Sequence, residues 1–162
     1  MKVRDVMMRT PASCSTDTNL AAAVEILWNR NCGFLPVVNA QGKVVGVATD
    51  RDICIALGTR NRLPGEITVG EVISGKLFAC APDDDVHTAL ATMAQEKVRR
   101  LPVIGSDGML QGILSMDDAV LHAEASLPGK AVELSDEEVA LTLRRLYQPK
   151  VPELLQKKIA VA

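Results

Sequence analysis

Aromatic side chains are scarce in this chain of 162 residues, which contains one Trp, one Tyr and two Phe, 2% of the total. Proteins that bind single-stranded nucleic acid stack bases on aromatic side chains, so the composition argues against that function. The net charge of −2 offers no overall attraction to polyanions. We therefore expect no nucleic-acid partner, and a core built from Val, Leu, Ile, Ala and Met.

Long apolar runs are also missing. No uninterrupted apolar stretch approaches the ~20 residues that span a bilayer. The first residues, MKVRDVMMRTP, carry charges throughout and contain no apolar signal core. We expect a cytoplasmic protein with no membrane partner.

The sequence lacks the patterns of metal and catalytic sites. No cysteine pair has the CxxC spacing of zinc or redox sites, and neither histidine lies near such a pattern. No glycine-rich phosphate loop and no Ser/His/Asp or Cys/His set appears. We expect no metal, no resident cofactor and no catalytic residue, hence no enzyme. The cysteines are expected to be buried, reduced thiols, with a redox role as the alternative: Cys14, Cys32, Cys54 and Cys80.

What the sequence does contain is one unit repeated twice. Residues 3–57 align with residues 69–123 at a constant offset of 66 without a gap, with 11 identities in 55 positions. Internal repeats determine the architecture of a chain, and a half of ~55 residues is too small to bury much of its own surface. We therefore expect two small units that share a core and face each other across paired clefts.

In both copies the spacing of apolar residues along the chain predicts the same order of helices and strands. A helical stripe comes first, preceded by residues that can cap a helix, Thr16 to Thr18 in one copy and Pro82 to Asp84 in the other. Two β-branched runs follow, and the polar turn between them ends in Gly42 or Gly108, which predicts a β-hairpin. A closing helix completes each unit. The stripe residues are Leu20, Val24, Leu27 and Trp28 and, at the same offset, Val86, Leu90, Met93 and Ala94.

This order of elements predicts an α+β fold of two β-α-β-β-α units. We assign residues 1–60 to the first unit, 61–68 to a linker and 69–124 to the second unit. Residues 125–162 form a C-terminal extension with a capping box at 135–138. The stripe after that box predicts a helix packed on the module or on a dimer mate; a helix awaiting another partner and a loosely ordered tail are the alternatives. The stripe contains Val139, Leu143, Leu146 and Tyr147, followed by Leu154, Leu155 and Ile159.

The most informative motif lies where the second β-branched run of each copy ends. The run finishes in a hydroxyl residue, Thr49 or Ser115, and a carboxylate, Asp52 or Asp118, follows three positions later in the first turn of a helix. The hydroxyl can cap backbone N–H groups, and the carboxylate can accept hydrogen bonds from two adjacent ribose hydroxyls. The alternative is a capping box that serves only the helix. The recurrence of this hydroxyl and carboxylate motif beside matching hairpins favours the sugar site.

Taken in order, these marks resemble a tandem pair of CBS motifs, the small regulatory modules named after cystathionine β-synthase. The resemblance covers residues 1–124 and rests on DVM near the start, LPVVNAQGKVVGVATDRDI and VRRLPVIGSDGMLQGILSMDD. It implies a pseudo-two-fold pair with two clefts, which commonly dimerises into a disc. It further implies a stand-alone regulatory module whose regulatory ligand is AMP, ADP, ATP or S-adenosylmethionine, and which signals by a conformational change to an effector protein that the sequence does not name. The alternative is a structural or oligomerisation module that acts through its C-terminal helix.

The resemblance assigns ribose and adenine contacts by position. Asp52 and Asp118 match the carboxylates that grip ribose. Thr49 and Ser115 match the hydroxyls that hold ribose or phosphate at the helix start. The segments that match the adenine slot are Thr16, Phe34, Leu35, Pro36 and Val37, together with Leu101, Pro102 and Val103.

Phosphate contacts are assigned in the same way. Arg99 and Arg100 match the basic pair that family members use on phosphates, and the guanidinium fork suits that geometry; a solvated charge pair at a strand edge is the alternative. The first copy has Gly33 and Phe34 at the matching positions, so we expect unequal phosphate affinity between the two clefts. Arg51 would supply part of the missing charge.

Overall fold

A computed structural model describes residues 1–73, 76–126 and 131–149 of the chain. The elements in these residues, in chain order, are α1 (Val3–Val6), β1 (Met8–Arg9), β2 (Cys14–Ser15), α2 (Leu20–Asn29), β3 (Phe34–Val38), β4 (Val44–Thr49), α3 (Asp50–Thr59), α4 (Val86–Glu96), β5 (Arg100–Ile104), β6 (Leu110–Ser115), α5 (Met116–His122) and α6 (Asp136–Tyr147). Two single 3₁₀ turns, Pro64–Glu66 and Val69–Glu71, precede α4. None of the helices in these residues is long and apolar enough to cross a membrane.

The strands form two small sheets, one for each copy. Strand order is β2-β3-β4 in the first sheet and β1-β6-β5 in the second. Both hairpins are antiparallel, and their turns place Gly42 at φ 75° and Gly108 at φ 84°, the left-handed region that glycine adopts without a steric penalty. An isolated bridge between Lys43 and Met109 joins the two hairpins. The predicted α+β fold of two repeated units is confirmed.

The leading segment of each copy packs on the other copy. Val3 and Val6 of α1 are buried in the core of the second copy, and β1 pairs with β6. Ile67 and Val69, at the junction between the copies, are fully buried in the core of the first copy. The second core therefore needs Val3 and Val6, which lie more than 70 positions before its other members, and the first core needs Ile67 and Val69 from beyond its closing helix.

The helix that opens each copy is capped one residue later than the sequence predicts. The side chain of Asn19 accepts a hydrogen bond from the Ala22 backbone N–H at 2.9 Å, and the side chain of Asp85 caps α4 in the same way. The expected cap residue Thr18 instead accepts a hydrogen bond from the Ser15 backbone N–H at 3.0 Å and closes the preceding turn. In the second copy Asp84 likewise accepts a hydrogen bond from the Ala81 backbone N–H at 2.7 Å, so the prediction of caps at Thr16 to Thr18 and Pro82 to Asp84 was wrong.

The apolar stripe behaves differently in the two copies. In the first copy Leu20 and Leu27 are buried, but Val24 is 43% exposed and Trp28 is 84% exposed. In the second copy all four matching residues are at most 8% exposed. The prediction of one buried face therefore holds fully only for α4, because α6 covers that helix and α5.

The C-terminal extension contains the predicted helix. Ser135 and Glu138 form the capping box of α6, with each side chain accepting a hydrogen bond from the other residue's backbone N–H. Leu134, Val139 and Leu146 are buried in the core of the second copy. Packing on the module is confirmed for this helix, whereas the stripe residues 154–159 lie outside the described residues.

The cysteines fall into two groups. Cys14 and Cys80 occupy matching positions and are buried, and burial raises the pKa of their thiols to about 11 and about 12. Cys54 is exposed on α3 and Cys32 is half-buried. The expectation of buried thiols was therefore wrong for Cys54, because the face of α3 that carries it is uncovered.

Candidate functional site

The predicted strand-to-helix corner is present in both copies with the same geometry. In the first copy the Thr49 hydroxyl donates to Asp52 Oδ2 at 2.6 Å, and the Thr49 backbone N–H donates to the same oxygen at 2.9 Å. In the second copy the Ser115 hydroxyl donates to Asp118 Oδ2 at 2.6 Å, and the Ser115 backbone N–H donates to the same oxygen at 2.8 Å. Each carboxylate thus closes a capping box, and its Oδ1 accepts no hydrogen bond from the described residues.

A cleft of about 460 Å³ opens over the first of these corners. It lies between the two copies, since β3, β4 and α3 line one side and the segments on either side of α4 line the other. Its volume falls in the range of pockets that hold small ligands, roughly 300–1,000 Å³. The lining residues are Gly33, Phe34, Val47, Thr49, Asp50, Arg51 and Asp52 from the first copy and Lys76, Phe78, Lys97, Val98, Arg99 and Arg100 from the second.

The fold brings six of the residues named from the sequence together around this cleft: Phe34, Thr49, Arg51, Asp52, Arg99 and Arg100. Four others, Leu35, Val37, Leu101 and Val103, are 0% exposed and belong to the two cores. Pro36 and Pro102 are buried within their strands, and the Thr16 carbonyl accepts a hydrogen bond from the Gly70 backbone N–H. Ser115 and Asp118 form the corner of the second copy and do not line this cleft.

The two corners differ in exposure. Thr49 and Val47 are half-buried at the cleft, whereas Ser115 is 7% exposed and Ile113 is 5% exposed. In the second copy β1 pairs alongside β6, with Met8 opposite Ile113. Thr49 is therefore more accessible than Ser115, while Asp52 and Asp118 are both half-buried.

The arginine pair lies opposite the corner of the other copy. In the sequence Arg99 and Arg100 belong to the second copy, and the first copy has Gly33 and Phe34 at the matching positions. In the fold both line the same cleft as Thr49 and Asp52. The hydroxyl and carboxylate of one copy and the guanidinium groups of the other thus form a single site.

The cleft is strongly basic. Five basic side chains and two acidic ones line it. Arg100 pairs with Asp117 at 3.2 Å, outside the cleft. Among the described residues, no carboxylate lies within 4.0 Å of a side-chain nitrogen of Arg51, Lys76 or Arg99. Unpaired cations that converge on one cleft favour an anionic ligand.

Seven lining residues were not predicted as ligand contacts: Gly33, Val47 and Asp50 of the first copy and Lys76, Phe78, Lys97 and Val98 of the second. The Lys76 ammonium lies over the Phe78 ring, 5.8 Å from its centre. Lys97 ends α4 in the left-handed conformation at φ 61°, and its ammonium donates to the Arg145 carbonyl near the end of α6. Lys97 could have been found from its place just before the arginine pair. The sequence contains no signal for Lys76 and Phe78, whose position depends on the path of the chain into the second copy.

The polar groups that line the cleft are carboxylate, hydroxyl, ammonium and guanidinium groups. No His, Cys or Ser is among the described residues that line it. His87 lies elsewhere, between Asp85 at 2.7 Å and Glu138 at 3.2 Å. Nowhere in the described ranges do three His, Cys, Asp or Glu side chains group closely enough to hold a metal ion. The arrangement can hold a polyol at Asp52 and an anionic group at the arginines.

Comparison with known proteins identifies the family. The CBS domain family model matches residues 3–59 and 69–124. The chain belongs to the CBS-domain family. It is 32% identical over 120 residues to the CBS domain-containing protein YhcV of Bacillus subtilis, a match that covers 74% of this chain and 84% of the relative. Some relatives are longer: the chain spans 60% of the uncharacterized protein MK0525 of Methanopyrus kandleri, at 30% identity over 127 residues.

Solved structures show the same fold. CBSX2 in complex with AMP superposes with a TM-score of 0.65 at 25% identity, covering 74% of this chain and 93% of CBSX2. The CBS domain protein TA0289 of Thermoplasma acidophilum superposes with a TM-score of 0.72 at 22% identity. That match covers 94% of this chain and 82% of TA0289. The predicted pair of CBS motifs is confirmed.

Proposed function

We propose that the chain is a regulatory module that binds an adenosine-containing ligand in the cleft over Thr49 and Asp52. The observation that supports this is the shared site, in which one copy contributes a hydroxyl and a carboxylate and the other contributes Arg99 and Arg100. A nucleoside phosphate carries groups that complement both halves. CBSX2, which has the same fold, binds AMP.

Each part of the ligand has a counterpart in this proposal. Asp52 accepts hydrogen bonds from the ribose hydroxyls through Oδ1, while Oδ2 keeps its role in the cap. Arg99 and Lys76 bind the phosphate, and the half-buried Val47 lies against the base. A net contribution of about 1.5–3 kcal/mol for each hydrogen bond to a charged group suffices for micromolar binding, which needs about 8 kcal/mol.

The ligand would act as a signal because its site spans both copies. A bound phosphate draws the arginines of the second copy toward the first copy, and Lys97 connects this cleft to the Arg145 carbonyl of α6. A change in the relative packing of the copies and of α6 is the signal. In this proposal the chain acts without catalysis, and its partners are the adenosyl ligand, a second copy of the chain and an effector protein.

A thermal-shift screen tests the ligand class. AMP, ADP, ATP, S-adenosylmethionine and NAD are added in turn to the full chain, because a ligand that binds the native state must raise its melting temperature. We expect stabilisation by at least one of the first four, reduced in Arg99→Ala. A screen in which none of the five raises the melting temperature, at concentrations far above micromolar, would contradict the proposal.

A structural role is the second candidate, and one observation favours it. Both carboxylates close capping boxes with residues of their own helices, so each corner has a structural role that does not depend on a ligand. In that case the two copies serve as a scaffold that presents α6. Binding of AMP by the full chain, with loss of binding in Asp52→Ala, decides between the two functions.

A further inference from the structure

Arg100 lines two cavities of the chain. One is the cleft of about 460 Å³ that Asp52 of the other copy also lines. The second is a smaller cavity of about 150 Å³ against α5 and α6, and Asp117 is among its lining residues. Asp117 Oδ2 lies 3.2 Å from Arg100 Nη2. The Arg100 side chain therefore stands between the proposed phosphate site and a carboxylate that does not line the cleft.

The position of this ion pair follows from the hairpin register. Arg100 lies opposite Ser115 in the pairing of β5 with β6, and Ser115 is the N-cap of α5. Asp117 comes two residues after Ser115, in the first turn of α5. The Met116 backbone N–H also donates to the Arg99 carbonyl at 3.0 Å, which holds the start of α5 against the arginine segment. The backbone thus brings the two charged side chains together.

The first copy has no such pair at the matching positions. Sixty-six residues before Arg100 and Asp117 stand Phe34 and Arg51. Phe34 lies opposite Thr49 in the same hairpin register, so the backbone is alike and the side chains differ. Arg51 lines the cleft and adds to its positive charge. The fold of the repeat therefore does not require the Arg100–Asp117 pair.

We propose that Asp117 is a counter-ion that competes with the ligand phosphate for Arg100, and so lowers the affinity of the cleft for phosphate-bearing ligands. The contact uses one nitrogen of Arg100, so the guanidinium group keeps other N–H donors for the cleft side. A phosphate and the Asp117 carboxylate carry charges of the same sign, so each disfavours the other beside Arg100. This inference rests on the proposed function, because it assigns a regulator of that same cleft.

Exposure limits the size of the effect. The Asp117 side chain is 78% exposed and that of Arg100 is 31% exposed. Ion pairs at such positions contribute little to stability because water and salt screen them. A phosphate that also contacts Arg99 and Lys76 can therefore displace Asp117 from Arg100. The affinity lost to this competition should be about two- to fivefold.

Asp117 also has a structural effect that must be distinguished from competition. A carboxylate in the first turn of a helix stabilises that helix, since it faces the positive end of the helix dipole. If Asp117 served only α5, or held Arg100 in a productive orientation, its loss would leave the affinity for AMP unchanged or lower it. Competition predicts the opposite sign, because affinity rises when the competitor is removed.

Titration calorimetry of Asp117→Asn measures that sign. AMP and adenosine are titrated separately into the full chain and into the variant. We expect AMP to bind the variant about two- to fivefold more tightly and adenosine to bind both alike, because only AMP carries the phosphate. Glu25→Gln removes the same charge at an exposed position on α2 outside both cavities. This control should bind AMP as the unmodified chain does.

A double-mutant cycle assigns the effect to Arg100. In the Arg100→Ala background, Asp117→Asn should leave the affinity for AMP unchanged, since the group for which Asp117 competes is absent. Asp117 is exposed and Arg100 is partly exposed, so the variants should fold, which circular dichroism verifies.

Three results would overturn the inference. Unchanged or weaker binding of AMP to Asp117→Asn would show that Asp117 does not compete with the phosphate. A gain in affinity that persists in the Arg100→Ala background would arise from long-range charge rather than from the ion pair. In both cases AMP still binds the full chain, so the proposed function stands. Absence of AMP binding to both the full chain and Asp117→Asn would instead overturn the proposed function and this inference with it.

Discussion

Asp52 accepts a 2.6 Å hydrogen bond from the Thr49 hydroxyl, so one oxygen of the proposed ribose-binding carboxylate is already committed to the start of α3. Asp118 and Ser115 show the same relationship at the start of α5. The two corners are equal as helix caps and unequal as parts of a cleft. Comparing the two carboxylates therefore distinguishes the effect of losing a helix cap from the effect of losing a proposed ligand contact.

The structural role predicts equal losses of stability. Asp52→Ala and Asp118→Ala each remove the acceptor for two hydrogen bonds at a helix start, so each should lower the free energy of unfolding by about 1 kcal/mol. Urea unfolding of both variants measures this. A loss confined to one variant would mean that the two boxes do not contribute alike.

The arginines of the cleft predict a loss of affinity that is confined to ligands carrying a phosphate. Arg99→Ala should weaken AMP binding roughly tenfold, since a charge-assisted hydrogen bond contributes about 1.5–3 kcal/mol, and should leave adenosine binding unchanged. Titration calorimetry with both ligands gives the ratio of affinities. Arg9→Ala, at an exposed position outside the cleft, is the control. An equal loss for AMP and adenosine would remove the phosphate role of Arg99.

The leading segment of each copy packs on the other copy, so a substitution at the junction between the copies should strongly lower the free energy of unfolding. Ile67→Ala should lower the free energy of unfolding by about 2–5 kcal/mol, because Ile67 is 0% exposed in the core of the first copy. Leu63→Ala, four residues earlier and 68% exposed, should change it by less than about 0.5 kcal/mol. Similar values for the two variants would show that the junction does not contribute to the core.

Acid should weaken the docking of α6. Hydrogen bonds from Ser135 and then the charge of His87 lower the pKa of Glu138 below its ordinary 4.5. A carboxyl group whose pKa is lower in the folded chain stabilises the fold at pH values above its pKa in the unfolded chain. This contribution is lost as the pH falls through its pKa in the folded chain. Unfolding free energy, measured by urea titration, should therefore fall as the pH drops below about 4.5.

Two variants isolate that contribution. Glu138→Gln keeps a cap for α6 and removes the titrating group, so its stability should depend less on pH in this range. Glu137→Gln, at the exposed neighbouring position, should follow the unmodified chain. The pKa of Asp85 is also lowered, first by its hydrogen bonds with His87, and Asp85→Asn should reduce the acid dependence in the same sense. A dependence unchanged by Glu138→Gln would exclude Glu138 as its source.

Much of each copy could be predicted from local signals. The polar turns that end in Gly42 and Gly108 set the hairpin registers, and Val37 pairs with Gly46 as Val103 pairs with Gly112. The capping box of α6 also follows from residue types at a fixed spacing. Such features depend on a few neighbouring residues, which is why the sequence suffices.

Features that depend on the partner copy could not be predicted. Val3 and Val69 occupy matching positions, and either could have packed on its own copy or on the other. The choice is made by the packing of whole units. For the same reason the repeat pattern assigned Arg99 to the corner of its own copy, whereas in the fold it lies across the cleft from Thr49.

The proposed function requires that the cleft over Asp52 binds an adenosine ligand. Titration calorimetry of AMP into the full chain, Asp52→Ala and Asp118→Ala tests it most directly, because the two substitutions remove the same cap and only Asp52 lines the cleft. We predict micromolar binding at one site per chain, weakened at least about tenfold in Asp52→Ala and unchanged in Asp118→Ala. Equal affinity in all three proteins, or no binding to the full chain, would contradict the account.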